Sequence, residues 1–196
     1  MIIIESKRKS IATIEQRHPG AIIIDVTSKS SNRFVQFSPF YPHGGIPIPF
    51  SDGYFAMSVE GIWQGLKVFE KSDVDFSCFS NTSMKNLKRS SKKFGKVLGH
   101  RKGIAGMDLL SYSAARFEIY LPTYLWVLEN KLQELVNEIK SIDKDKVVVL
   151  LDFNTNEDCY SLKKPLSHAG LIKSFIEGSY PVPGSCPQNE ELTLFG

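Results

Sequence analysis

Between Phe37 and Phe50 the chain places four prolines and four aromatic residues in fourteen positions, FSPFYPHGGIPIPF. Proline fixes φ and has no amide N–H, so this stretch cannot continue a helix and is unsuited to the middle of a sheet. It is also too aromatic for a flexible linker. The expectation is an ordered loop packed over a pocket, with the flanking segments arranged around it.

The segment that follows reads as a helix. From Ser58 onward, Val59, Ile62, Trp63, Leu66 and Phe69 fall on one face, which would pack into a core. Glu60, Gln64 and Lys67 recur at the same spacing and form a polar stripe beside it. Ser58 is placed to cap the helix, and Glu60 sits in the first turn, where the helix dipole favours a carboxylate. Gly61 and Gly65 occupy a third face. Each costs roughly 1 kcal/mol in helix propensity, which points to something approaching the backbone closely there. On pattern alone the stripe reads as the solvated edge of a core helix or as the wall of a site.

A chain of 196 residues fits one domain and buries about 70% of its unfolded surface. The net charge of +3 is too mild to indicate nucleic acid by itself. Cys78, Cys159 and Cys186 are far apart and lack metal-ligand spacing, so they read as free thiols in a reducing compartment. Met1 to Ile4 is too short for a signal-peptide core, and no apolar run approaches the ~20 residues of a membrane span. The expectation is a cytoplasmic protein with no membrane segment, no metal and no cofactor.

Along the chain, Ala21 to Val26 reads as a buried strand, Phe34 to Phe37 as a second, and Asp73 to Ser83 as irregular. Asn81 or Thr82 is placed to cap a basic amphipathic helix ending near Leu98, with Gly99 as its stop. Its cations run from Lys85 to Lys102 and form either a solvated face or a surface for phosphates. Tyr112 to Ile119 reads as helical, interrupted at Pro122. From Tyr124 a single helix carries Leu128, Leu132, Leu135, Ile139 and Ile142 inward. Lys146 to Asp152 is the clearest strand, and it empties into the polar loop Phe153 to Tyr160. Pro165 opens a last helix that Gly178 ends, followed by a tail from Ser179 that wraps loosely. These elements compose one α+β domain spanning 1–196, with several helices around a small sheet.

Three patches together resemble the NADAR (NAD- and ADP-ribose-associated) superfamily. The first is the Phe37-Ser38-Pro39-Phe40 loop followed by Ser58, Glu60, Gln64 and Lys67. The second is Gly99-His100-Arg101. The third is Asn156-Glu157-Asp158-Cys159-Tyr160 before a final helix. The chain departs from the family pattern at Gly61, where His is common, and at Ser161, where Trp is expected. It also lacks a clear counterpart of a mid-chain tryptophan between Asp108 and Tyr112. The resemblance implies a NADAR-like fold and cleavage of an N-glycosidic bond, with Glu60 as the essential glutamate. The substrate class it implies is a ribosyl nucleotide, ADP-ribose or ADP-ribosylated nucleic acid.

Such cleavage builds positive charge on the sugar, which a carboxylate beside C1′ stabilises while it deprotonates water. Glu60 is the first candidate and Asp158 the second. Phe37, Phe40, Trp63 and Tyr160 are candidates for stacking on the base, although Trp63 also lies in the apolar arc of its helix. Lys67 and Arg101 are candidates for phosphate. Ser38, Gln64, Asp152 and Asn156 complete the candidate binding set. Asp152, at a strand end, is equally suited to accepting backbone hydrogen bonds, Asp158 to capping a turn, and His168 to a surface or satisfied position. Two alternatives stand beside the hydrolase: a non-catalytic ADP-ribose or nucleotide-binding module, and a nucleic-acid-binding protein using residues 85–102.

Overall fold

The computed structural model describes residues 1–181. Its first elements are β1 (Ile2–Ser6), α1 (Ile11–Arg17), β2 (Ile22–Asp25) and a 3₁₀ turn (Arg33–Phe37). The proline-rich loop then carries β3 (Ile46–Pro47) and leads to β4 (Phe55–Ala56), α2 (Val59–Gly65) and β5 (Lys67–Phe69). Next come α3 (Phe76–Phe79), α4 (Ser91–Phe94), β6 (Val97–Arg101), β7 (Leu109–Leu110) and α5 (Tyr112–Ala115). A π turn (Arg116–Tyr120) joins α5 to α6 (Leu121–Asn130), followed by α7 (Gln133–Asp145), β8 (Val148–Asp152) and α8 (His168–Ile176).

β8 is the centre of the molecule. Every residue of its Val-Val-Leu-Leu-Asp run is buried, as the apolar sequence requires of a strand covered on both faces. β1 and β2 flank it in parallel, so that Ile4, Leu150 and Ile24 stand in register. One sheet face, through Val149 and Leu151, packs on Ile14 of α1. The other, through Ile2, Ile24, Val148 and Leu150, joins the main core with Phe37, Trp63, Phe117 and Tyr124. An antiparallel sheet β5-β6-β7 and a ribbon β3-β4 complete an α+β fold. Among the described residues no helix is long and apolar enough to cross a membrane.

Several expectations hold. Ser58 Oγ accepts from the Gly61 amide at 3.0 Å and caps α2. The glycines of that helix face α3: a Cβ on Gly61 would stand 2.6 Å from the Cys78 carbonyl oxygen, and one on Gly65 2.1 Å from the Phe79 ring. Cys78 is a buried free thiol and Cys159 is buried, while Cys186 and most of the C-terminal tail lie outside the described residues.

Others are corrected. Phe34 to Phe37 is a 3₁₀ turn, and α2 ends at Gly65, so Phe69 belongs to a strand. The basic helix does not form. Met84 and Asn86 have φ of 58° and 59°, and only Ser91–Phe94 is helical before β6 begins. Two anchors explain this. Leu87 is buried, and the Arg89 guanidinium donates to the Gln64 and Lys67 carbonyls at 3.0 and 2.5 Å, to Ser72 Oγ and to the Asp73 carbonyl. A continuous helix would instead have stacked lysines one turn apart.

Pro122 does not interrupt. It lies in the first turn of α6, where its missing N–H costs least. The turn before it widens, with the Leu121 amide reaching back to the Arg116 carbonyl; Pro122 offers the Glu118 carbonyl no donor and its ring crowds that oxygen. The long helix expected from Tyr124 is two, broken between Asn130 and Gln133, and the last helix starts at His168 under a Ser167 cap.

Candidate functional site

The three parallel strands end at one wall of a cleft of about 770 Å³. Arg8 lies just past β1, Thr27 and Ser28 just past β2, and Asp152 closes β8. Carboxyl ends of parallel strands are where loops diverge and leave room for ligands. The opposite walls are α2, the loop at Ser38 to Phe40, Lys88 and Arg89, the π turn and the start of α8.

Glu60, Gln64 and Lys67 line this cleft as a hydrogen-bonded row. Gln64 Nε2 donates to Glu60 Oε1 at 2.9 Å, and Lys67 Nζ donates to Gln64 Oε1 at 3.3 Å. The Arg89 amide also donates to Gln64 Oε1, at 3.2 Å, which fixes the carboxamide with its N–H toward Glu60. The Glu60 amide donates to the Pro39 carbonyl at 2.8 Å, pinning the proline-rich loop to the start of α2. Burial raises the Glu60 pKa above the ordinary carboxylate range, against the opposing pull of Gln64, Lys67 and Lys88. Burial lowers that of Lys67.

Trp63 serves both core and cleft. It is 8% exposed, and its indole packs against His100 at 3.9 Å between ring centroids with the rings tilted by 35°, and the Lys67 ammonium lies 5.7 Å from the ring. His100 is fully buried; burial and the Lys67 charge push its pKa down to about 3, so it is a neutral buttress. Phe40 carries Lys88 Nζ 5.8 Å from its ring. Ser38 borders the cleft and accepts from the Phe40 amide at 3.3 Å.

Asp152 also borders the cleft, but its oxygens are committed. Oδ1 accepts from the Phe153 amide at 2.6 Å, and Oδ2 from Ser167 Oγ at 2.8 Å and from His168 Nδ1 at 3.0 Å. His168 Nε2 donates to the Val26 carbonyl at 2.9 Å. With an acceptor on each ring nitrogen, His168 is an imidazolium, and its raised pKa reflects the Asp152 charge overcoming burial. Burial of Asp152 is likewise outweighed by His168 and the donors around it, and its pKa falls.

Five of the residues proposed from sequence lie elsewhere. Phe37 is fully buried in the core, its carbonyl accepting from Tyr124 Oη at 2.7 Å. Arg101, the last residue of β6, pairs with Asp73 outside the cleft, Nε to Oδ1 at 3.0 Å. Asn156 closes its own loop through the Lys164 carbonyl and the Asp158 amide. Asp158 is exposed and caps a turn, accepting from the Tyr160 amide at 2.9 Å. Tyr160 packs 5.3 Å from Phe117 and faces a separate depression of about 380 Å³. Glu60 and Asp158 therefore do not share a cavity.

A family model matches residues 6–172, a span that includes every residue lining the cleft. The chain belongs to DUF6939, a family of unknown function. No curated protein matches it. The DUF6939 cleft also holds residues that sequence reasoning did not assign to it: Arg8, Lys88, Arg89, Tyr112, Arg116, Tyr120 and His168. Arg116 is 2% exposed, and its Nη1 donates to the Cys159 and Ser161 carbonyls, each at 2.8 Å. Its Nη2 has no hydrogen-bond partner among the described residues. Lys88 and Arg89 belong to the conspicuous basic segment, Arg116 lies in the stretch Tyr112 to Ile119 that reads as helical, and Tyr120 follows it directly. No local signal marks Arg8, which reaches the cleft through strand order alone. Among the described residues, no cluster of three or more His, Cys, Asp or Glu is placed to hold a metal ion.

Proposed function

We propose that this cleft hydrolyses the N-glycosidic bond of a nucleotide-like substrate, either a ribosyl nucleotide or an ADP-ribosyl group, as the resemblance to the NADAR superfamily implies. The observation that carries the reading is Glu60: a buried carboxylate with raised proton affinity, opening on a cleft with aromatic walls and more Lys and Arg side chains than carboxylates. As C1′ gains positive charge, Glu60 stabilises it and takes a proton from the attacking water. Phe40, Trp63 and Tyr112 offer faces for the base. Lys67, Lys88 and Arg8 offer charge to phosphate.

Base release from ribosyl nucleotides, NAD and ADP-ribosylated nucleic acid tests this, with Glu60→Gln as comparison. Losing the base is expected to cost about 10²–10⁴-fold in rate. Because the Glu60 pKa is raised on folding, its ionised form costs stability as pH rises through that value. Glu60→Gln is therefore expected to melt above wild type at pH 8, with the gap closing in acid. Equal inactivity of both proteins across the panel would remove the hydrolase reading.

A second reading, a binding module without turnover, is favoured by one observation. Asp158 lies outside the cleft and Asp152 is saturated, so Glu60 is the cleft carboxylate left free to change protonation. Tight ADP-ribose binding that persists for hours with no released base distinguishes it.

A further inference from the structure

The wide turn at Arg116–Tyr120 puts a phenol into the same cleft as Glu60. Tyr120 follows Ile119, which is fully buried, and its ring is held between two others. It stacks parallel on Tyr124 at 6.4 Å with 3° between planes, and meets Trp63 edge-on at 5.7 Å. Tyr120 borders the cleft, and its hydroxyl hydrogen-bonds to no group among the described residues. π turns inside α-helical segments recur at functional sites, where the extra residue re-aims side chains. Here the turn aims both Arg116 and Tyr120 at the cleft while Phe117 and Ile119 stay in the core.

We propose that Tyr120 is the substrate-contacting hydrogen-bond donor that steadies the departing base in glycosidic cleavage. The proposal rests on the hydrolase reading above and names a second participant in it. The chemistry balances without any further reactant. Water's oxygen bonds to C1′ and its proton passes to Glu60. The C1′–N bond breaks and its electron pair goes to the base, on an atom hydrogen-bonded to the Tyr120 O–H. A purine base then takes up the proton from Glu60 through solvent, whereas a pyridine departs neutral and that proton is released to solvent; in both cases one water is added across the C1′–N bond. Tyr120 keeps its proton throughout. Burial, together with the nearby Glu60 and Asp152 carboxylates, raises its pKa well above that of free tyrosine, so it acts as a donor and not as an acid.

A donor to the leaving group has a signature that a packing residue lacks: its value grows as the base becomes a poorer leaving group. The test is a series of 5′-phosphoribosides, purine and pyridinium, that spans leaving-base basicity, assayed with wild type, Tyr120→Phe and Glu60→Gln. Tyr120→Phe is expected to melt with wild type, since the hydroxyl has no protein partner to lose. Its kcat is expected to fall about 10²-fold for poor leaving bases and little for pyridines, which depart neutral, so the plot of log kcat against leaving-base basicity steepens. An unchanged slope overturns the proposal, whether kcat falls uniformly or not at all. If wild type turns over and Glu60→Gln does not, the hydrolase reading stands apart from that result. Absence of turnover by wild type across the series overturns both.

Discussion

Lys67 governs how firmly Glu60 holds its proton. The ammonium reaches Glu60 through Gln64 and offsets part of the pKa increase that burial imposes. Lys67→Met removes that charge, so the Glu60 pKa climbs further. The acid limb of kcat/KM, which follows ionisation of Glu60 in the free enzyme, is then expected to move to higher pH. A limb that stays in place, or moves down, would show that Glu60 is not the titrating group. At this scale the sequence was legible where spacing along α2 decides the geometry: Glu60 and Gln64 stand one turn apart as their interval dictates, and Lys67, the first residue of β5, still reaches Gln64. It was not legible for Asp158. Position just past a buried strand says that a polar residue is near the end of the sheet, but not which way its loop turns. The Asp158 carboxylate caps that turn and is not among the residues that line the cleft.

The helices and strands obey the same distinction. Gly61 is a position where two effects oppose each other. Alanine there gains about 1 kcal/mol of helix propensity, but its methyl would stand 2.6 Å from the Cys78 carbonyl oxygen. Backbone cannot give way as a flexible side chain does, and overpacking a core costs roughly 1–3 kcal/mol. The clash is expected to win, and Gly61→Ala to lower the urea midpoint; a rise would mean that α3 shifts freely. The glycines were readable as close approaches because their cost inside a helix is local. The segment from Lys85 to Lys102 was misread because what shapes it is remote: the carbonyls that hold the Arg89 guanidinium belong to α2, β5 and the turn after β5. The break between α6 and α7 has no proline or glycine to announce it.

Across the whole molecule, His168 joins the ends of two strands to the last helix, with Val26 on one ring nitrogen and Asp152 on the other. His168→Leu leaves the Asp152 charge buried and unpaired, an arrangement that costs about 3–5 kcal/mol. Because the His168 pKa is raised on folding, the pair's contribution is full below the unfolded pKa of histidine. It is lost as pH rises through the folded value, so the gap between wild type and variant is expected to narrow in alkali. A constant gap in urea unfolding from pH 6 upward would mean that the ring packs without its charge. The apolar run of β8 and the α+β class were visible in composition and periodicity. The pairing of the first strand with the last long one was not, because register between distant segments leaves no local trace. That pairing bears on how the chain is made. Among the described residues, β1 and β2 hydrogen-bond only to β8 within their sheet, and Ile2 waits for Val148. On the ribosome, both edge strands therefore emerge with no partner in that sheet until the segment from Val148 to Asp152 has been synthesised. Closing so long a loop before any pairing is gained makes folding slow. The isoleucine-rich N-terminus spends that interval as bare strand edge, dependent on whatever shields nascent chains in the cell.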